Sequence, residues 1–361
     1  MNVSHNSAFH RGTRPRPVNL VRRRLATCGY TADLMKLLVT GGAGFLGSTF
    51  VRAVLGDTLP GLAGATVTVL DKLTYAGNFT SLGPVVEDKR LDFVPGDVSD
   101  AALVNSVVRG HDAIVHFAAE SHADRSIQAA ADFVTTNVVG TQVLLDAARR
   151  HGTARFVHAS TDEVYGSIAT GAWTERSPIA PNSPYAATKA ASDLLALAAY
   201  RTHGLPVVVT RAVNTYGPYQ HPEKLIPRFV TSLLEGRTVP LYGGEGGQVR
   251  EWVHADDHCL GTALALLEGT AGEVYHIGGT RELSNRDLAG RLLAACGGDW
   301  DRVVEVADRK GHDQRYALDD ERIRRELGYR PRVDFDAGLA ATISWYSEHA
   351  EWWRPLVPDQ D

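Results

Sequence analysis

Beyond residue 35 the chain alternates between short apolar runs and amphipathic stretches. "KLLVT" (36–40), "ATVTVLD" (65–71), "AIVHFAAES" (113–121), "RFVHAST" (155–161) and "LPVVVTRAVNTYG" (205–217) read as buried strands, and "LDFVPGDV" (91–98) holds a shorter one. Continuous apolar runs, rather than strict in-out alternation, mark strands covered on both faces. Helix-like segments such as "STFVRAVLGD" (48–57) and "DFVTTNVVGTQVLLDAARRHG" (132–152) lie between them. Strands alternating with helices predict a doubly wound α/β fold built on a parallel sheet.

The pattern loosens after about residue 217. Loops rich in Pro and Gly, "GPYQHPEK" (217–224) and "YGGEGGQ" (242–248), separate shorter elements. "RELSNRDLAGRLLAACG" (281–297) predicts a helix, with Ser284 as its N-cap three residues before Asp287. The expected organisation is a main sheet domain over 35–217 and a smaller lobe over 218–361, some segments of which rejoin the main sheet. Residues 1–34 stand apart. Their Arg-rich stretch "HRGTRPRPVNLVRRR" lacks the apolar core of a signal peptide. They read as a disordered extension, or as residues upstream of a natural start at Met35, the alternatives being a basic arm for nucleic acid or membrane and a targeting segment.

Charge and cysteine usage narrow the function classes. The net charge of −5 gives the whole chain no attraction for nucleic acid. No run approaches the ~18 apolar residues of a membrane span. Cys28, Cys259 and Cys296 form no CxxC pair, so the expectation is free thiols in the cytoplasm and no metal.

Chemistry enters at "TGGAGFLG". Gly41, Gly44 and Gly47 punctuate the turn between the first strand and helix, where backbone can approach a pyrophosphate at a helix N-terminus. The second strand ends in Asp71, 24 residues after Gly47. A carboxylate near that spacing meets ribose hydroxyls and disfavours a 2′-phosphate, so NAD is expected over NADP in a Rossmann-type domain. Asp97, ending the third strand, suits the adenine edge, with a turn or helix cap as the alternative. Further on, Tyr185 and Lys189 stand four apart in a helical segment and share one face. A lysine beside a tyrosine favours the phenolate, making Tyr185 a base for an alcohol proton. Oxidation of an alcohol leaves Asp162 and Glu163 in "ASTDEVYG" (159–166) without a task. Elimination of water needs one more base and one more acid, and adjacent carboxylates can divide that work because closeness raises one pKa relative to the other.

These motifs resemble the extended short-chain dehydrogenase/reductase family. "DKLTYAGN", "HFAAESHADRSI", "STDEVYG", "SPYAATKAASD", "NTYGPYQHPEKLIP", "REWVHADDH" and "DRKGHDQRY" are similar, in this order, to its dTDP-glucose 4,6-dehydratase branch. The resemblance implies an NAD-dependent lyase with dTDP-glucose, or a close nucleotide sugar, as substrate. It implies that Tyr185 takes the C4 hydroxyl proton, Thr161 holds the C4 oxygen, Glu163 removes the C5 proton and Asp162 protonates the departing C6 hydroxyl. NAD would be lined by Phe45 and Leu46 of the glycine turn, Asp71, Lys72, Leu73 and Thr74. Asp97, Val98, Phe117, Ala118, Ala119, Ser121, Thr136, Tyr185 and Lys189 complete that set. Ser121, Thr161, Asn214, Lys224, Leu225, Tyr242, Arg250, Asn285, His312 and Tyr316 would face the sugar nucleotide, with Arg250 near the diphosphate. It further implies a homodimer through helices around 131–151 and 184–203. The chain departs from the family pattern at Thr215, where a second Asn is usual, at "RAVN", and in a loop before Arg250 that is one residue longer. The alternatives are another nucleotide's 4,6-dehydratase, a 4-epimerase, which needs no C5 base, or a catalytically silent NAD-binding protein.

Overall fold

The computed structural model describes residues 35–243, 246–308 and 310–357. The extension 1–34 and part of the loop before Arg250 lie outside the described residues.

All six sequence-predicted strands form: β1 (Lys36–Thr40), β2 (Thr66–Asp71), β3 (Leu91–Pro95), β4 (Ala113–His116), β5 (Arg155–Thr161) and β6 (Val207–Ala212). They pair in parallel, and a further strand of this sheet, β10 (Val274–Ile277), its seventh member, joins beside β6. The spatial order is this seventh strand, then β6, β5, β4, β1, β2 and β3. The order reverses between β1 and β4. In open α/β sheets such a reversal splays the loops at the carboxyl ends and leaves a crevice for a ligand.

Both faces of the sheet are covered, which is why its strands read as unbroken apolar runs. Leu37 and Val39 of β1 pack with Phe50, Val51 and Val54 of the helix Phe45–Leu55, and with Cys259, Ala263 and Leu266 of the helix Ala255–Glu268. Leu38, one residue away on β1, points to the opposite face. It packs with Ile114, Phe156, Leu144 and Ala196, drawing on the helices Thr141–His151 and Pro184–His203. Side-chain alternation along one strand thus serves two cores, each large buried side chain contributing about 1.5–3 kcal/mol.

The chain beyond β6 builds smaller units. β7 (Asn214–Tyr216), β9 (Val249–His254) and β11 (Arg281–Ser284) make one sheet; β8 (Val239–Tyr242) and β12 (Val303–Val306) pair separately. The long apolar run 205–217 therefore divides between two sheets, breaking at Val213. Tyr216, Phe229, Trp252, Phe335, Tyr346 and Trp353 form a third core here. Ser284 caps the helix Asn285–Ala295 and accepts from Asp287 N, as the sequence predicts.

Candidate active site

The glycine turn sits at the end of β1. Gly41 takes φ +69°, and a Cβ there would stand 2.5 Å from Ala118 N. A Cβ on Gly47 would stand 2.1 Å from Gly41 O, so the helix Phe45–Leu55 can begin this close only without side chains. No side chain caps that helix N-terminus. Its first-turn N–H groups therefore face a cavity lined by Gly41, Gly44, Phe45, Leu46 and Gly47. The same cavity is walled by Asp71, Lys72, Thr74, Val98, Phe117, Ala118, Ala119, Ser121, Thr136, Tyr185 and Lys189. Of the residues expected around a dinucleotide, Leu73 and Asp97 stand off this wall.

Asp71 organises its end of the cavity. Its two oxygens accept from Ala43 N at 2.9 Å and Leu73 N at 2.8 Å. Those bonds tie the glycine turn to the next loop, in which Leu73 adopts φ +54°. Burial outweighs them and pushes the carboxyl pKa up. Each oxygen keeps a lone pair for a ribose hydroxyl. Asp97 instead holds Ser99 N at 2.8 Å and pairs with Lys72 at 3.3 Å. The turn role weighed for Asp97 is thus present. Lys72 also donates to Thr136 at 3.2 Å, from a segment, Val134–Gly140, that winds as a π-helix. That widened turn is common at functional sites. It sets Thr136 on the cavity wall while Asn137 holds Glu120 N at 2.9 Å. A glycine cradle, an uncapped helix end and a carboxylate at the strand tip fit a dinucleotide.

The paired acids lie where β5 stops. Thr161 Oγ1 accepts from Glu163 N at 3.3 Å and caps a 3₁₀ turn, Asp162–Tyr165, that ends at Gly166 with φ +75°. On a continuing strand Asp162 and Glu163 would point to opposite faces; the turn removes that conflict. Asp162 is 2% exposed and accepts from Thr161 Oγ1 at 3.1 Å. Burial first, and the Glu163 charge second, raise its pKa well above the carboxylate range. Glu163 is only half-buried and lines a second cavity. The pair is thereby split into a carboxyl kept neutral and a carboxyl with access to ligand, the division that acid and base roles require.

Tyr185 and Lys189 lie on the helix Pro184–His203, which Ser183 caps by accepting from Ala186 N. Both are buried on the wall of the first cavity. The phenolate expectation is corrected here. Lys189 Nζ donates to Ala159 O at 2.6 Å, and the Tyr185 hydroxyl is raised well above its usual range. Burial is the largest cause of that rise and the Glu163 charge adds to it, against a hydrogen bond with Thr161. Burial also lowers Lys189 to about 8.

The second cavity collects Ser121, Asn214, Lys224, Leu225, Tyr242, Arg250, Asn285, His312 and Tyr316. Of the expected substrate-facing set, only Thr161 stands off this wall. Arg250 is 5% exposed. It donates to Val249 O and Asp313 O, each at 2.8 Å, and lies over the Tyr316 ring at 4.3 Å. This excludes a loose surface role and fixes a positive charge in the wall. Lys224 donates to Ser121 O at 2.7 Å. The two cavities share Ser121, Gln220, Glu223 and Lys224.

Sequence reading missed Gln220, Glu223 and His258, which line the first cavity, and Arg228 and Trp252, which line the second. Gln220 and Glu223 sit inside "PYQHPEK", and Trp252 and His258 inside "REWVHADDH", so the motifs held the signal. Ser160, also missed, places a buried hydroxyl without a partner among the described residues on the wall of the first cavity.

The GDP-mannose 4,6 dehydratase family profile matches residues 38–342. A dTDP-glucose 4,6-dehydratase of Streptomyces niveus is 62% identical over 327 residues, covering 90% of this chain and 97% of that one. A solved dTDP-glucose 4,6-dehydratase from Streptomyces venezuelae, with NAD and dTDP bound, is 62% identical. It superposes with a TM-score of 0.88, covering 90% of this chain and all of that chain. A UDP-glucose 4-epimerase of Thermus thermophilus in complex with NAD is 30% identical, with a TM-score of 0.80 and coverage of 87% and 100%.

Proposed function

This chain belongs to the GDP-mannose 4,6 dehydratase family, and from that membership we propose that it converts dTDP-glucose to dTDP-4-keto-6-deoxyglucose. The observation that carries the reading is the turn at the end of β5. It sets a buried neutral carboxyl, Asp162, next to a ligand-facing one, Glu163. Alcohol oxidation alone has no use for this pair. The 62% identity to named dTDP-glucose 4,6-dehydratases supports the same substrate.

NAD, when bound in the first cavity, would supply the hydride acceptor for C4 of the sugar and, once reduced, the hydride donor for C6. The chain's own residues move the protons. Tyr185 acts as base in its phenolate form, accepting the C4 hydroxyl proton while Thr161 holds that oxygen; the positive charge of Lys189 and that of the oxidised nicotinamide, when bound, would favour the phenolate against the burial that raises it. The 4-ketone acidifies C5, where Glu163 acts as base and gives the proton back to C5 when C6 receives its hydride. Asp162, kept protonated by burial, gives its proton to the C6 hydroxyl, which leaves as water. Arg250 meets the diphosphate, with Lys224, Asn285 and His312 around it. Residues 35–217 mainly serve the cofactor and 218–361 mainly the sugar nucleotide.

A homodimer and a cytoplasmic location belong to the same proposal. Val134, Val139, Leu194 and Tyr200 are large exposed apolar residues on the two helical segments expected to pair between subunits. Among the described residues no helix is long and apolar enough to cross a membrane, and Cys259 and Cys296 are free thiols.

The test uses dTDP-glucose deuterated at C4, with no reductant added. The expected product is a 4-keto-6-deoxy sugar with the label at C6. Inversion at C4 without loss of water would replace the dehydratase with an epimerase, a reading that the shared fold also admits at a TM-score of 0.80. In the dehydratase, Glu163→Gln abolishes product formation; an epimerase would tolerate it.

A further inference from the structure

Four buried polar atoms in the first cavity's wall, on Ser160, Gln220, Glu223 and His258, lack a hydrogen-bond partner among the described residues, and two of them belong to side chains held by Thr215. Gln220 Nε2 donates to Thr215 O at 2.9 Å, leaving Oε1 without a partner. The Thr215 hydroxyl meets His258 Nδ1 at 2.8 Å, leaving Nε2 likewise. Gln220 is 9% and His258 2% exposed, and both line the cavity. A buried acceptor left unmet is costly, so the two set by Thr215 call for a ligand that meets them.

Their polarity follows from their partners. A carbonyl only accepts, so the contact with Thr215 O turns the Gln220 amide nitrogen inward and leaves its oxygen over. Thr215 Oγ1 also donates to Val213 O at 3.3 Å, which directs the hydroxyl proton there. His258 Nδ1–H then donates to the hydroxyl oxygen, and Nε2 is bare. Burial lowers the His258 pKa to about 4, so the ring carries no second proton at neutral pH. The wall therefore offers two acceptors.

Their place in the fold selects the ligand group. Thr215 lies in β7, three residues beyond the end of β6, whose Arg211 and Ala212 stand in register with Ser160 and Thr161 of β5. Gln220 also lines the second cavity, so it stands at the seam between the two ligands. Asp71 lies across the β1–β4 reversal, on β2. The acceptor pair is thus at the reacting end, not the adenosine end.

We infer that Gln220 Oε1 and His258 Nε2 together receive the two N–H bonds of the nicotinamide carboxamide, and so set which face of the ring is turned to the sugar. Thr215 is their common support. This replaces the lost contact that the missing second Asn implied, and it rests on the reading of NAD as cofactor.

The experiment measures equilibrium binding of three probes to the full-length chain and to Gln220→Met and His258→Phe. The probes are NAD, 3-acetylpyridine adenine dinucleotide, in which a methyl replaces the amide nitrogen, and ADP-ribose, which has no pyridine ring. The unaltered chain should prefer NAD over the acetylpyridine analogue by about tenfold or more. Each variant should narrow that preference to about threefold or less, while ADP-ribose binds all three proteins equally. A full preference persisting in both variants overturns the inference. So does a variant that weakens ADP-ribose as much as NAD, which makes its residue structural. Failure of the unaltered chain to bind NAD or ADP-ribose would instead remove the cofactor reading itself.

Discussion

Asp162 and Glu163 are neighbours in the chain but not in environment. One is buried against Thr161, the other opens on the second cavity. Replacing Asp162 by Asn removes the proposed C6 acid and should lower kcat by about 10²- to 10⁴-fold, measured as product formed per minute. Its effect on stability runs the other way. The folded pKa of Asp162 is raised, so the folded state holds a proton that the unfolded state loses. That contribution is present below about pH 4 and is lost as pH rises toward the folded pKa. Asn titrates nowhere in this range. Relative to the unaltered chain, the variant should therefore gain stability as pH increases, read from urea midpoints at pH 5 and pH 8. Both acids were legible as a pair in the sequence. Their different burial was not, because burial is set by what packs above the turn.

The element that carries them is short and needs anchoring. The 3₁₀ turn ends at Tyr165, whose hydroxyl meets Arg211 Nη1 at 2.5 Å and His276 Nε2 at 2.7 Å. These contacts bind the catalytic turn to β6 and to the strand Val274–Ile277. Tyr165→Phe keeps the ring but leaves the guanidinium and the imidazole facing an apolar edge. It should cost about 1–3 kcal/mol of stability, measured by urea unfolding, and lower turnover by loosening the turn. The strands themselves were readable from apolar runs, since each run is a local pattern. The end of β5 was harder to place. A strand and a turn can share the same residues, and Thr161 decides between them by capping with its own hydroxyl. Likewise the run 205–217 gave no hint that it would serve two sheets.

Across the whole molecule, a buried polar layer joins the sheet to the catalytic helix. Asp193, one turn beyond Lys189, is fully buried and pairs with Arg211 at 2.8 Å and with His158 at 3.3 Å. Burial alone would raise its pKa, yet the Arg211 and His158 partners bring it down to about 2. Asp193→Asn leaves Arg211 charged and unpaired, and should destabilise the protein by about 3–5 kcal/mol at pH 7. The sign of its pH dependence follows from the lowered pKa. The stabilisation is complete above the unfolded value near 4 and is lost as pH falls toward 2. The gap between the two proteins should therefore close over that window in denaturant titrations, and a constant gap would refute the assignment.

By itself the sequence determined the alternating α/β architecture, the glycine turn, the Tyr–Lys pair and the Thr-Asp-Glu triplet. Each of these is written in residues close together along the chain, where backbone periodicity and turn chemistry act directly. Only the tertiary structure decided what converges on them. It kept Lys189 on Ala159 O and made the Tyr185 hydroxyl a weak acid. It also joined two cavities at Gln220 and turned His258 toward the cofactor wall. Tyr165 and His276 touch across 111 residues. No local pattern encodes such a contact, because it exists only once the sheet has ordered its strands and the helices have closed over both faces.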